Sequence, residues 1–184
     1  MPMCDAYIPK DALSAETERD LLKRVTELLV DHEMRRVIDL SNDPTSVEAS
    51  RKRASRVAWV FVHHPEVYVA GRLREEPFYR FICHVPEGQA DDEFRVAVTR
   101  DITQAVIDAE AGRWPHPEAR VWVFTWEVPE GTWGALGAPF LLRDVIEWVA
   151  PELKDYADNR LAERRRTEAL AILEAAGTSA GAPL

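Results

Sequence analysis

A proline directly follows the initiator methionine, and it is the residue whose chemistry stands out first. Removal of Met1 would leave Pro2 as a secondary amine at the head of the chain. An α-amine titrates near 8, far below lysine. A partly buried site with a cationic neighbour lowers that value further. In the neutral form such a group takes a proton, and in the protonated form it gives one. The other reactive side chains form no comparable set. His63 and His64 are adjacent on an extended stretch, so they point to opposite faces and make a poor metal pair. Cys4 and Cys83 have no CxxC spacing and are too few for a disulfide framework. No metal motif, nucleotide-binding loop or Ser-His-Asp order is present. The basic cluster Arg51-Lys52-Arg53, with Arg56 nearby, reads as a solvated loop or a subunit contact.

The 184 residues carry a formal net charge of −9, which argues against non-specific binding to nucleic acid or anionic membranes. The start of the chain has neither the basic nor the apolar segment of a secretory signal. No apolar run approaches the roughly 20 residues that span a bilayer. With two cysteines and no export signal, the expected location is the cytoplasm.

The elements that must position Pro2 come from an internal repeat. Shifted by 77 positions, from Pro9 to Pro86, the segment 9–31 meets 86–108. Glu16 then meets Glu93, Val25 meets Ile102, Thr26 meets Thr103 and Asp31 meets Asp108. Trp59-Val60-Phe61 recurs as Trp122-Val123-Phe124, and Pro65-Glu66 as Pro129-Glu130, in the same order. Each half reads as strand, helix, strand. In the first half, 3–8 is a strand. Ser14 caps a helix with Leu21, Leu22, Val25, Leu28 and Leu29 on one face, and 57–62 is a buried strand. In the second, 78–85 is a strand. Asp91 or Asp92 caps a helix presenting Phe94, Val98, Ile102, Ala105 and Val106, and 120–128 closes the unit. The polar insertion 41–53 reads as an exposed loop. Trp59 and Trp122 read as core.

The predicted class is α/β (α+β): two fused β-α-β units forming a four-stranded sheet with both helices on one face and right-handed crossovers. The expected organisation is a domain over 1–140, with repeats at about 2–71 and 78–138. A charged helical extension follows over 141–176, and a disordered tail over 177–184.

This pattern resembles the tautomerase superfamily. The resemblance covers residues 2–140 and rests on four features: Pro2 at the head of the first strand, the paired β-α-β units, HVPEGQ at 84–89, and EVPEGTWGALG at 127–137. It implies an enzyme in which Pro2 is the acid/base acting on a small 2-oxo or enol carboxylic acid. The reaction would be a tautomerisation, or a related hydration, dehalogenation or decarboxylation, with no cofactor or metal. It also implies a homotrimer. Family members bind substrate carboxylates with arginines, whose planar fork suits that group. The turn 86–89 carries none, since Pro86 and Gln89 hold those positions. Gln89 is assigned to substrate binding. Arg120 resembles the arginine that opens the closing strand and is assigned to the substrate carboxylate; the plain alternative is an exposed strand-end arginine. Trp133, in the Gly-rich hairpin, and Phe124 are assigned to an apolar wall, with hairpin packing as the alternative for Trp133. His32 reads as a core-edge or surface residue and Glu127 as a solvated strand end. Two rival readings follow from the missing turn arginines and the charged C-terminal helix. One is a non-catalytic trimeric scaffold or ligand-binding protein of the same fold; the other is an interaction protein working through that helix.

Overall fold

A computed structural model describes residues 2–41 and 43–177, apart from the side chain of Arg36. The question of Met1 removal therefore falls outside the described residues. So does the expected tail, except Gly177.

The chain runs β1 (Met3–Tyr7), α1 (Ala15–Leu40), α2 (Pro44–Ser55), β2 (Trp59–His63), β3 (Tyr68–Val69), β4 (Arg72–Leu73) and β5 (Tyr79–Pro86). It continues with α3 (Asp92–Glu110), β6 (Val121–Val128), β7 (Gly134–Ala135), β8 (Ala138–Pro139), α4 (Leu142–Val149) and α5 (Lys154–Ala175). Four strands form one sheet in the order β2-β1-β5-β6. β1 runs parallel to β2 and β5 parallel to β6, as a helical crossover requires, while the central pair β1/β5 is antiparallel. The expected four-stranded mixed α/β architecture is thus the observed one.

Local chemistry explains the helix starts. Ser14 accepts from the Thr17 amide at 3.1 Å, and Asp91 accepts from the Phe94 amide at 2.9 Å. Between strand and helix, each unit makes the same turn. Ala12 donates to the Pro9 carbonyl at 3.2 Å, and Gln89 to the Pro86 carbonyl at 3.1 Å. The third residue of each turn has positive φ: Asp11 at 62° and Gly88 at 86°. That is the conformation that glycine adopts freely and aspartate tolerates.

Strand alternation sends Cys4, Ala6, Ile8, Phe81, Cys83 and Val85 toward α1 and α3, where Leu21, Val25, Leu29, Val98, Ile102 and Val106 close the core. Phe81 is fully buried, and truncating it to alanine should cost about 3–5 kcal/mol. Cys4 and Cys83 face each other across β1 and β5 with their sulfurs 4.0 Å apart, both free. The neighbouring Cys83 thiol and then burial push the Cys4 thiol well above its ordinary range.

Three expectations are corrected. The insertion 41–53 is not an exposed loop, because most of it belongs to α2. Asp43 caps that helix by accepting from the Thr45 and Ser46 amides, Pro44 occupies its first turn, and Ser50 and Ala54 are buried. Its polarity is that of a helix with a narrow buried stripe packed on Val30, Met34, Val37 and Val149. The basic cluster sits on this helix, with Arg51 paired to Asp31 and Arg53 donating to the Val149 carbonyl at 2.8 Å. Finally, Trp59 and Trp122 are not core: they are 60% and 66% exposed on the face of the sheet away from the helices.

That open face has a definite pattern. Trp59 and Phe61 on β2, and Trp122, Phe124 and Trp126 on β6, form two aromatic columns along the outer strands. Between them Asp5 accepts from His63 Nε2 at 2.7 Å and from His84 Nε2 at 3.0 Å. Partial burial raises the Asp5 carboxyl, but the two histidine hydrogen bonds outweigh it and hold the group below its ordinary value.

Two small hairpins were only half foreseen. In β3–β4 the loop is Ala70-Gly71, and in β7–β8 it is Leu136-Gly137; both residues of each loop have positive φ. This is the requirement of the tight turns that match strand twist.

Candidate functional site

Pro2 lies one residue before β1 and is buried. Its carbonyl accepts from the Trp59 amide at 3.3 Å. One step beyond the Met3–His84 pair, the register sets Val85 opposite it, and the next strand over carries Glu127. Alternation puts Pro2 on the helix side of the sheet, with Cys4 and Ala6.

The turn 86–89 overhangs this end of the sheet. Glu127 fixes it by accepting from the Gly88 and Ala90 amides, each at 2.9 Å. The carboxylate expected at a solvated strand end is therefore a turn clamp, with Arg95 3.5 Å away. Charge-assisted bonds of this kind are among the stronger ones.

Helix α5 crosses the same turn. Arg160 Nε donates to the Gly88 carbonyl at 3.3 Å, and Arg164 stands 3.6 Å from Glu127. Arg165 grips Glu87 with two bonds of 2.7 and 3.0 Å, which hold that carboxyl below its ordinary range. A Cβ on Gly88 would meet Leu161 at 3.8 Å. Three arginines of the C-terminal helix thus lie against a turn that carries none itself. Beside the turn a cavity of about 460 Å³ is lined by His32, Glu33, Gln89 and Asp91 among others.

Of the sequence-assigned residues, Pro2 and Gln89 are brought to this end of the sheet. Trp133 is partly buried in the hairpin that follows β6, where its carbonyl accepts from the Phe140 amide at 2.7 Å. Phe124 is 48% exposed on the open face, the opposite side of the sheet from Pro2. Arg120 is corrected. It is 6% exposed and sits at the far end of β6 from Pro2. It pairs with the Glu110 carboxylate through both Nη atoms and also donates to the Pro77 and Pro115 carbonyls at 2.6 and 3.2 Å. Its guanidinium is consumed by the protein, which leaves no fork for a substrate of the same subunit. His32 bonds Asp101 at 3.0 Å at the edge of the core, and His64 bonds Glu18.

Two features had no sequence reading: the Asp5 bridge and the carboxyl of Glu33. The first could have been found by aligning the strands, which sets Asp5 between the two histidine-bearing strands. The second was hidden next to His32, on a helix whose polar positions all look alike. Among the described residues no group of three His, Cys, Asp or Glu could hold a metal ion, and no helix is long and apolar enough to cross a membrane.

No protein-family sequence model and no curated protein matches the chain. Solved structures do. F6, a wild-type fused 4-OT in an asymmetric trimer, superimposes with a TM-score of 0.55 at 14% identity, covering 74% of this chain and 94% of that one. N1, a member of the cis-3-chloroacrylic acid dehalogenase family, gives 0.55 at 16%, covering 85% and 99%. Pt0534, crystallised after inactivation by 2-oxo-3-pentynoate, gives 0.54 at 19%, covering 74% and 93%.

Proposed function

We propose, with the tautomerase-superfamily fold as premise, that this chain is a Pro2-dependent enzyme acting on a small 2-oxo or enol carboxylic acid. The observation that carries the reading is the setting of Pro2. It stands at the head of a central strand, on the helix side, at the end of the sheet overhung by the turn 86–89, whose Gln89 borders a cavity of about 460 Å³. A secondary amine in such a place can move a proton between two carbons without a cofactor. The reaction is an enol–keto tautomerisation, or a hydration, dehalogenation or decarboxylation begun by the same proton transfer. Gln89 contacts the substrate, and Trp133 walls the pocket.

The same reading includes a homotrimer in the cytoplasm. Its support is the open sheet face, whose two aromatic columns flank the Asp5 bridge, together with the trimeric assembly named for F6. Exposed aromatic surface of this extent marks an interaction surface.

One observation favours a second reading. Pro2 is buried at the end of the sheet crossed by α5, which suits a non-catalytic scaffold or ligand-binding protein of the same fold. The deciding experiment is ketonisation of phenylenolpyruvate, followed by ultraviolet absorbance after mass spectrometry has established that Met1 is gone. Turnover that disappears in Pro2→Ala supports the enzyme. Equal rates in both proteins, or none in either, sink the tautomerase assignment.

A further inference from the structure

Helix α1 carries one carboxyl that solvent does not serve. Glu33 directly precedes Met34, which is buried in the second apolar cluster. Its Oε1 is buried too, and desolvation raises the carboxyl above the ordinary glutamate range.

Two neighbours of Pro2 bracket this group. On one side Ala58 packs on the cluster that holds Met34, and the next residue, Trp59, donates its amide to the Pro2 carbonyl at 3.3 Å. On the other side Val85 is opposite Pro2, and Gln89, tied to Pro86 by the turn, lines the same cavity as Glu33. The segments that flank Pro2 therefore also adjoin Glu33: 58–59 through the cluster that holds Met34, and the turn 86–89 through the cavity shared by Gln89 and Glu33.

We propose that Glu33 is the carboxyl partner of the Pro2 amine, a positioning residue that holds Pro2 in its protonated form. The inference rests on the reading of Pro2 as the acid/base group and deepens it. A carboxylate beside an amine favours the ammonium, so the chemistry selected is one that begins with proton donation. In ketonisation, the proton passes from the Pro2 nitrogen to carbon, and the C=C pair becomes the new C–H bond. The O–H pair becomes the carbonyl π bond, the hydroxyl proton leaves to water, and water returns a proton to Pro2. The substrate class this fits is an enol or unsaturated acid protonated at carbon, rather than a keto acid that must first lose a C–H proton.

Other charged groups face the cavity: His32, Arg35 and Asp39 from α1, and Asp91 and Glu93 at the head of α3. His32 is paired with Asp101, Arg35 with Glu93 at 2.6 Å, and Asp91 with Arg160 of α5 at 3.6 Å. His32, Arg35, Glu93 and Asp91 therefore each have an ion partner of their own.

The test is a titration of the Pro2 nitrogen by NMR in the full, ¹⁵N-proline-labelled chain after Met1 removal. Glu33→Gln should lower the amine midpoint by about one pH unit or more, and Glu33→Asp by clearly less. In the wild-type chain, the Glu33 carboxyl carbon should also show a second inflection at the Pro2 midpoint, as coupled sites do. This reading serves if the glutamine variant folds poorly. An unmoved midpoint in Glu33→Gln, or a single wild-type inflection, overturns the pairing. Because the titration needs no turnover, a protein that shows the coupling but never ketonises substrate would discredit the enzymatic reading and leave the pairing standing.

Discussion

At one end of the sheet Pro2 stands beside the turn 86–89; at the other, Tyr79 stands beside the turn 9–12, one step from the Tyr7–Arg80 pair. The two turns share the same hydrogen bond and the same positive φ at their third residue. The side chains differ. The Pro2 end has a cavity, a clamp made of Glu127, and an arginine-bearing helix laid over it. The Tyr79 end has a smaller cavity, of about 240 Å³ beside the turn 9–12, and is braced by the buried Arg120–Glu110 pair; burial together with Glu110 raises the Tyr79 phenol far above its ordinary value. One backbone plan thus yields an end crossed by an arginine-bearing helix beside the larger cavity, and an end braced by a buried ion pair. The residue at the strand head, together with what the closing strand offers it, decides which.

This contrast can be broken by substitution. The largest effect should come from Pro2→Ala, which is expected to reduce ketonisation by 10²–10⁴-fold. Tyr79→Phe at the corresponding place should leave the rate unchanged, because it lies at the opposite end of the sheet from Pro2. Comparable losses from both would erase the distinction between the ends. Arg120→Ala should destabilise the chain by about 3–5 kcal/mol in urea unfolding, since it strands Glu110 in the interior. A joint Arg120→Met, Glu110→Leu replacement should recover most of that loss. Were Arg120 a substrate binder instead, the single variant would keep its stability and raise KM.

Smaller effects sharpen the comparison. Glu127→Ala should cost about 1–3 kcal/mol by leaving the Gly88 and Ala90 amides without their acceptor. A cost with no change in turnover would make the clamp purely architectural. The smallest effect is expected from Asp5→Asn, and it depends on pH. The Asp5 carboxyl is held below its unfolded value, so its contribution is present above about pH 4 and is lost as pH falls through the folded value. The melting temperatures of wild type and variant should therefore converge in acid. A gap that stays constant from pH 7 to pH 3 would contradict the histidine bridge.

Much of this plan is legible in the amino-acid order. The apolar spacing of Leu21, Val25 and Leu29 and the caps Ser14 and Asp91 announce both long helices, because period and capping are local properties. The paired turns are visible through Pro9 and Pro86. The tight hairpin at Ala70-Gly71 could have been found from its likeness to Leu136-Gly137. What stayed hidden depends on contacts between distant segments. α2 reads as a polar loop because its buried residues, Ser50 and Ala54, are not strongly apolar, and Val47 is its one larger apolar side chain packed on the cluster. Trp59 and Trp122 read as core because a sheet face with nothing over it has the same composition as a covered one. Arg120 reads as a free cation because its partner, Glu110, lies ten residues earlier, at the end of another element.

The facing thiols of Cys4 and Cys83 have a practical consequence. Both are buried, and the Cys4 thiol is pushed well above its ordinary range, so little thiolate is offered to an alkylating reagent in the native state. They sit on the two innermost strands, so no fraying of an edge uncovers them. Alkylation of the pair is therefore a stopwatch for whole-molecule opening. At high reagent concentration its rate should stop rising and settle at the unfolding rate constant, giving kinetic stability without denaturant.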